Sequence, residues 1–313
     1  MSDKTYEQDP YGVPLTQLAA ALEPTSLVYS RDGNRLIVEH EALQTIVDVF
    51  RPAHLDASDN KISAVVKITT EIPKELADFL KNSEFLGIFN SFSTLGSLYE
   101  EDGRYFIGSR LTSFEGENAW AVQFPLMLLA VIGSAEQMIS AMNRVFTGQG
   151  INEGRSDWTE ADMEFVENKL SSMCFCNSGG LGFTAEFALK PGETAAIIGD
   201  GNTALWQLRA DAPHPEAGGG LFCLLQLPYV FEDQETVNKV AARLNQMEMA
   251  PHDLPPHFGA WCPSKSGNLL AYCSFLPNVF HQVRGIAVNM SIWAMHRAQI
   301  ADGMVRLIHP KIT

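Results

Sequence analysis

Few residues of this 313-residue chain are spaced for chemistry. Cys174-Phe175-Cys176 is the one close pair among five cysteines, and Cys223, Cys262 and Cys273 follow singly. A zinc site takes four ligands in paired spacings such as C-x2–4-C. A single intervening residue, with no second cysteine pair or H-x3–5-H following it in the usual way, leaves the set short, so no metal is expected. His252 and His257 stand in the rigid run PHDLPPH and read as loop histidines. The odd cysteine count without framework spacing reads as reduced thiols of a cytoplasmic protein. SGGLG (Ser178 to Gly182) and GDGN (Gly199 to Asn202) lack the G-x-x-x-x-G-K-[ST] pattern. Neither runs from a strand into a helix, as a dinucleotide loop must. Turn chemistry accounts for both, and no cofactor is expected. Neither a G-x-S-x-G elbow nor H-E-x-x-H occurs, so no catalytic residue is named.

The other chemistry on offer is apolar. Trp120, Phe124, Met127, Met138 and Met142 fall in one long segment, and Met290, Trp293 and Met295 in another. Methionine repacks around varied partners, so Trp120, Phe124, Met127 and Trp293 are the candidate partner-binding residues. The same side chains at helical spacing also make ordinary core, and both readings stand.

Net charge is −15, from 37 acidic against 22 basic residues. Such a field disfavours nucleic-acid backbones and anionic membranes, and it suits solubility or basic partners. With 46% hydrophobic and 19% charged residues the composition is that of a globular protein. The opening MSDKTYEQDPYG lacks a charged-then-apolar signal pattern. The longest apolar run, Ala119 to Ala135, is broken by Gln123, Pro125 and Gly133, and falls short of the ~20 residues of a bilayer span. It reads as a buried helix, apolar all round from Phe124 to Ile132 and so lying between layers.

The elements that must position these residues repeat. LGSLYEEDGRYFIGSRL, from Leu95, and FGAWCPSKSGNLLAYCSF, from Phe258, each make two short alternating runs around a Gly-containing turn. Each is followed by a long helical pattern, near Ala119 and near Val283. A self-similar unit at this spacing signals tandem modules. SLVYSRDGNRLIV marks a hairpin about Asp32-Gly33-Asn34. Leu43, Ile46, Val47 and Phe50 recur at i, i+3, i+4 and i+7, so Glu41 to Phe50 reads as an amphipathic helix inserted in the repeat. Lys61 to Ile72 reads as a strand, Asp157 with Glu160 as a capping box, APHPEAGGG as a flexible surface loop, and Leu221 to Phe231 as a strand buried on both faces. In the last helix Asn289, Ser291, His296 and Arg297 mark a wetter side. The expected fold class is α+β: two tandem modules, 1–150 and 151–313. Each is helix–three strands–helix–two strands–helix, an antiparallel sheet with helices packed on one side.

That element order resembles the type III secretion chaperone fold and its YbjN-like bacterial relatives. The resemblance implies a non-enzymatic cytoplasmic protein that engages another protein through a sheet face or inter-module groove. It carries over no functional residue. Family members pair as dimers of one module, so the chain is expected to be a monomer with an internal pseudo-dimer, or a homodimer. Two alternatives remain at this point: a small-molecule sensor with an apolar inter-module pocket, and a hydrolase without a recognisable motif.

Overall fold

The computed structural model describes residues 6–8, 19–20, 22–23, 25, 27–33, 35–40, 43–52, 62–114, 120–145, 154–189, 203–250 and 255–309. In the first half, β1 (Tyr6–Gln8), β2 (Val28–Asp32), β3 (Arg35–His40), β4 (Leu43–Pro52) and β5 (Ile62–Glu71) precede α1 (Lys74–Leu80) and α2 (Ser83–Ser91). The hairpin β6 (Ser97–Glu101) and β7 (Arg104–Phe114) follows, then α3 (Trp120–Val145). In the second half, α4 (Glu160–Leu170) leads into β8 (Phe175–Gly179), β9 (Gly182–Ala188), β10 (Thr203–Arg209) and β11 (Gly220–Val230). After these come α5 (Gln234–Glu248), the hairpin β12 (Ala260–Pro263) and β13 (Leu269–Pro277), a 3-10 turn (Asn278–Gln282) and α6 (Ile286–Ile308).

The fold is α+β, two tandem antiparallel sheets with helices packed on one side. The first sheet is ordered β2-β3-β4-β5-β7-β6, with β1 paired beside β4; the second is ordered β8-β9-β10-β11-β13-β12. Strand for strand these are the same sheet. One row across the first joins Tyr29, Val38, Thr45, Thr70, Ile107 and Leu98. The matching row of the second joins Cys176, Ala185, Trp206, Leu225, Tyr272 and Trp261. The first hairpin turns at Gly33 (φ 57°) and its counterpart at Gly180 (φ 55°), left-handed values that glycine adopts without a Cβ penalty.

Each half has four matched strands, not three, before its central helical segment, and the first half adds β1. The stretch expected as a helix at Glu41 to Phe50 is strand β4. Its sequence LQTIVDVF fits both periods, and Thr45, Val47 and Val49 are buried on one face while both neighbours supply backbone partners. β-Branched side chains and two-sided pairing favour the strand. It is therefore the counterpart of β10 and no insertion. Also missed are β8, obscured by the glycines at its end, and the short β1. β11 alternates: Leu221, Cys223, Leu225 and Leu227 are buried, while Phe222, Leu224 and Gln226 are half-exposed. The cap of α4 lies two residues beyond the expected one, a box of Thr159 with Asp162.

The helices cover the row-bearing faces. Leu128, Val131 and Ile132 of α3 join one continuous core that also holds Val47, Val66, Phe183, Trp206 and Leu225. By length and composition Leu126–Arg144 could cross a membrane; in this fold its Leu128, Val131, Ile132, Met138 and Met142 are buried in the protein, while Leu129 is exposed, so the stretch expected to lie between layers has an open side. Ser291 and Arg297 of α6 are not on a wet side: both are buried, and the Ser291 hydroxyl accepts from Trp206 Nε1 at 2.8 Å. Polar residues in a helical stripe face inward where a buried polar partner waits, which the helical period alone does not reveal.

Candidate functional site

Contacts between the halves are reciprocal, as across a two-fold axis. α2 packs on α5 and on β12, and α5 packs on β6. Asn90 of α2 holds the Leu98 backbone in β6, accepting from its N–H at 2.7 Å and donating to its carbonyl at 2.9 Å. Asn245 of α5 does the same to Trp261 in β12, at 2.8 and 2.9 Å. These two-bond clamps satisfy one backbone N–H and one C=O each on strands at the sheet margin. Just before each of these strands the chain reaches across to the other sheet. His257 exchanges backbone hydrogen bonds with Arg110 of β7 at 3.2 and 2.7 Å, and the Phe275 N–H of β13 donates to the Thr94 carbonyl at 2.9 Å.

On this symmetric frame sits one asymmetric cluster. Glu248, at the end of α5, receives Arg297 Nε at 2.8 Å and Nη2 at 3.0 Å, a two-pronged charge-assisted pair. Trp261 Nε1 also donates to it at 2.9 Å, and His257 Nδ1 lies 3.3 Å away. His257 Nε2 reaches Ser97 Oγ at 2.9 Å, and the Arg297 guanidinium stacks 4.2 Å from the Tyr272 ring centre. From the first half Arg110 enters: Nε donates to the Glu248 carbonyl at 2.6 Å, Nη2 to the Pro255 carbonyl at 2.7 Å, and Nη1 to Thr112 Oγ1 at 2.9 Å.

Burial decides what this cluster can do. Arg110, Glu248, His257 and Arg297 are 0, 2, 0 and 4% exposed. Burial alone would raise the Glu248 carboxyl, but Arg297 and His257 beside it hold it well below the ordinary carboxylate range. Burial depresses His257, against the pull of Glu248, so its imidazole is neutral near pH 7. The Arg297 guanidinium, which burial would lower, is raised by Glu248. A solvated carboxylate would be a base; this one is sealed and fully bonded, and its work is to join β7, α5, α6 and the 255–257 segment. His257 is thus a buried bridge and not a loop histidine; His252 lies outside the described residues. The stretch expected as a flexible loop is a second bridge. Its His214 bonds the Phe92 carbonyl at 2.7 Å and packs on Phe275, and Glu216 pairs with Arg144 of α3.

Of the candidate partner-binding residues, two have described side chains. Met127 and Trp293 are half-buried against the core, Trp293 beside Phe258 with ring centres 5.7 Å apart. The Trp120 and Phe124 side chains lie outside the described residues. The five cysteines are free thiols. Burial pushes Cys174 up to about 12, and Cys262 and Cys273, missed as a pair because eleven residues separate them, meet at 3.4 Å between sulfurs. Among the described residues no three His, Cys, Asp or Glu side chains are grouped to hold a metal ion.

The outer faces, away from the covering helices, differ between the sheets. On the first, Arg35 of β3 pairs with Asp48 of the neighbouring β4 at 3.3 Å, and Lys67 of β5 reaches past β7 to Glu101 of β6 at 2.9 Å. On the second, register places Phe175, Glu186, Leu205 and Gln226 in one row, and Asn177, Thr184, Gln207 and Leu224 in the next. Phe175 is 61% exposed; Leu205, Gln207, Phe222 and Leu224 are half-exposed. Two open grooves, about 700 and 320 Å³, lie within the second half, around Asp157, Trp158 and Asp211 and around Gly182, Gln207 and Arg209. Comparison with protein-family models, curated proteins and solved structures gives no match.

Proposed function

We propose that this chain is a non-enzymatic, cytoplasmic protein-binding protein of chaperone-like or regulatory type. It takes a segment of another protein on the outer face of its second sheet. The observation that carries this reading is the surface of exposed Phe175 and half-exposed Leu205, Phe222 and Leu224 interleaved with Asn177, Thr184, Glu186 and Gln207. Covering it removes apolar area from water, at roughly 25 cal/mol per Å², and leaves Glu186, half-exposed between Phe175 and Leu205, as a charge the partner must meet. The first sheet's outer face would have to surrender its ion pairs to do the same.

The test is a photo-crosslinking residue placed at Leu205 in the intact chain, with the same residue at Arg35 as the comparison. The expected result is a protein adduct of defined mass at position 205 and none at 35. Equal labelling at both positions, or no protein adduct at either, would sink the reading. Saturable retention of a small molecule, seen by native mass spectrometry without any protein adduct, would favour the sensor in its place.

A further inference from the structure

We infer that the surfaces joining the two halves have diverged so that each half accepts the other and rejects a second copy of itself. The argument rests on the matched positions of the internal repeat. Because Asn90 and Asn245 clamp equivalent residues, Gly87 corresponds to Ala242 and Asn238 to Ser83, each at the same distance along its helix from the clamp. Across the interface Gly87 faces Asn238. A β-carbon at Gly87 would fall far inside contact with the Asn238 amide oxygen and lie 3.1 Å from the Pro263 ring. Asn238 is buried, so it has little room to yield.

In a pair of two second halves, alanine would stand at the Gly87 position and asparagine opposite it, twice. That assembly meets a steric conflict at both ends. A pair of two first halves fails for another reason. The position of Glu248 is there taken by Ser93, and the eight extra residues between clamp and strand that carry Pro255 are missing: Asn90 lies eight residues from Leu98, whereas Asn245 lies sixteen from Trp261. Each Arg110 would then be buried with no carboxylate beside it, the costly half of a broken ion pair. Only the mixed pairing places glycine opposite asparagine and arginine beside glutamate.

Two measurements test this. In the intact chain, Gly87→Ala should lower the melting midpoint by roughly 3 °C or more, and adding Asn238→Ala should restore most of it. A Gly87→Ala protein melting like the parent, or a double variant no better than the single, overturns the steric part. The second measurement uses the full chain folded and then cut at a protease site inserted between Val145 and Gly154. After unfolding in urea and refolding, native mass spectrometry should show the mixed pair and no like pair. A near-statistical mixture containing both like pairs overturns the inference. If the cut chain does not refold, the intact-chain pair of variants decides.

Discussion

The two halves share one strand order, and at the helix–strand corner a single matched position differs in charge. Three residues past its clamping asparagine, the first half has Ser93, whose hydroxyl closes a short turn onto the Gly96 carbonyl. Three residues past Asn245, the second half has Glu248, which gathers Arg297, Trp261 and His257 and carries Arg110 of the first half on its backbone carbonyl. The small hydroxyl satisfies one local carbonyl. The carboxylate needs partners from several elements, and in meeting that need it fixes how the halves sit together. Duplicated architecture thus keeps the clamp, while the side chain beside it decides whether the corner serves one half or both.

The comparison breaks most sharply at Glu248. Glu248→Gln keeps the shape but leaves the Arg297 and Arg110 guanidinium groups buried with no anion, at a cost of about 3–5 kcal/mol. Ser93→Ala, at the matched position, should cost about 1 kcal/mol. Urea denaturation of both variants checks this, and equal losses would mean that the cluster does not bear on the joint. The clamps should fail alike. Asn90→Ala and Asn245→Ala each strand a backbone N–H and a carbonyl, and each should cost about 2 kcal/mol. If only one variant loses stability, the halves are not equivalent at their clamps.

Acidity sharpens the comparison with a smaller effect, because the matched position of His257 in the first half is Thr94. His257 and Glu248 are both depressed in the folded protein, so the unfolded chain binds more protons below their ordinary values of 6.5 and 4.5. His214, lowered by burial, acts in the same direction. Stability is therefore fully present above about pH 7. It falls as pH drops through 6.5, where the histidines protonate in the unfolded chain, and falls again below 4.5, where Glu248 does. The first step should be about 1 kcal/mol or more by pH 5.5, read as the shift in urea midpoint. His257→Gln should shrink that step and leave the lower one. A midpoint that does not move between pH 7.5 and 5.5 would contradict the buried, neutral assignment.

Much of this molecule was legible from the chain itself. Glycine turns flanked by alternating residues announced the hairpins, and the recurrence of hairpin then helix announced the tandem modules, because both signals are local. Where a segment satisfies two periods at once, as LQTIVDVF does, the sequence is silent, and the neighbouring strands that supply backbone partners decide. The joint lay further out of reach. Arg110 and Glu248 are 138 residues apart, Ser97 and His257 160, and neither pair has a spacing that distinguishes it from solvated surface charge. Ser291 and Arg297 read as a wet helix side for the same reason. The helical period says which residues share a face; only the packed structure says what that face meets, because a buried polar group is tolerated solely where partners from distant parts of the chain arrive to satisfy it.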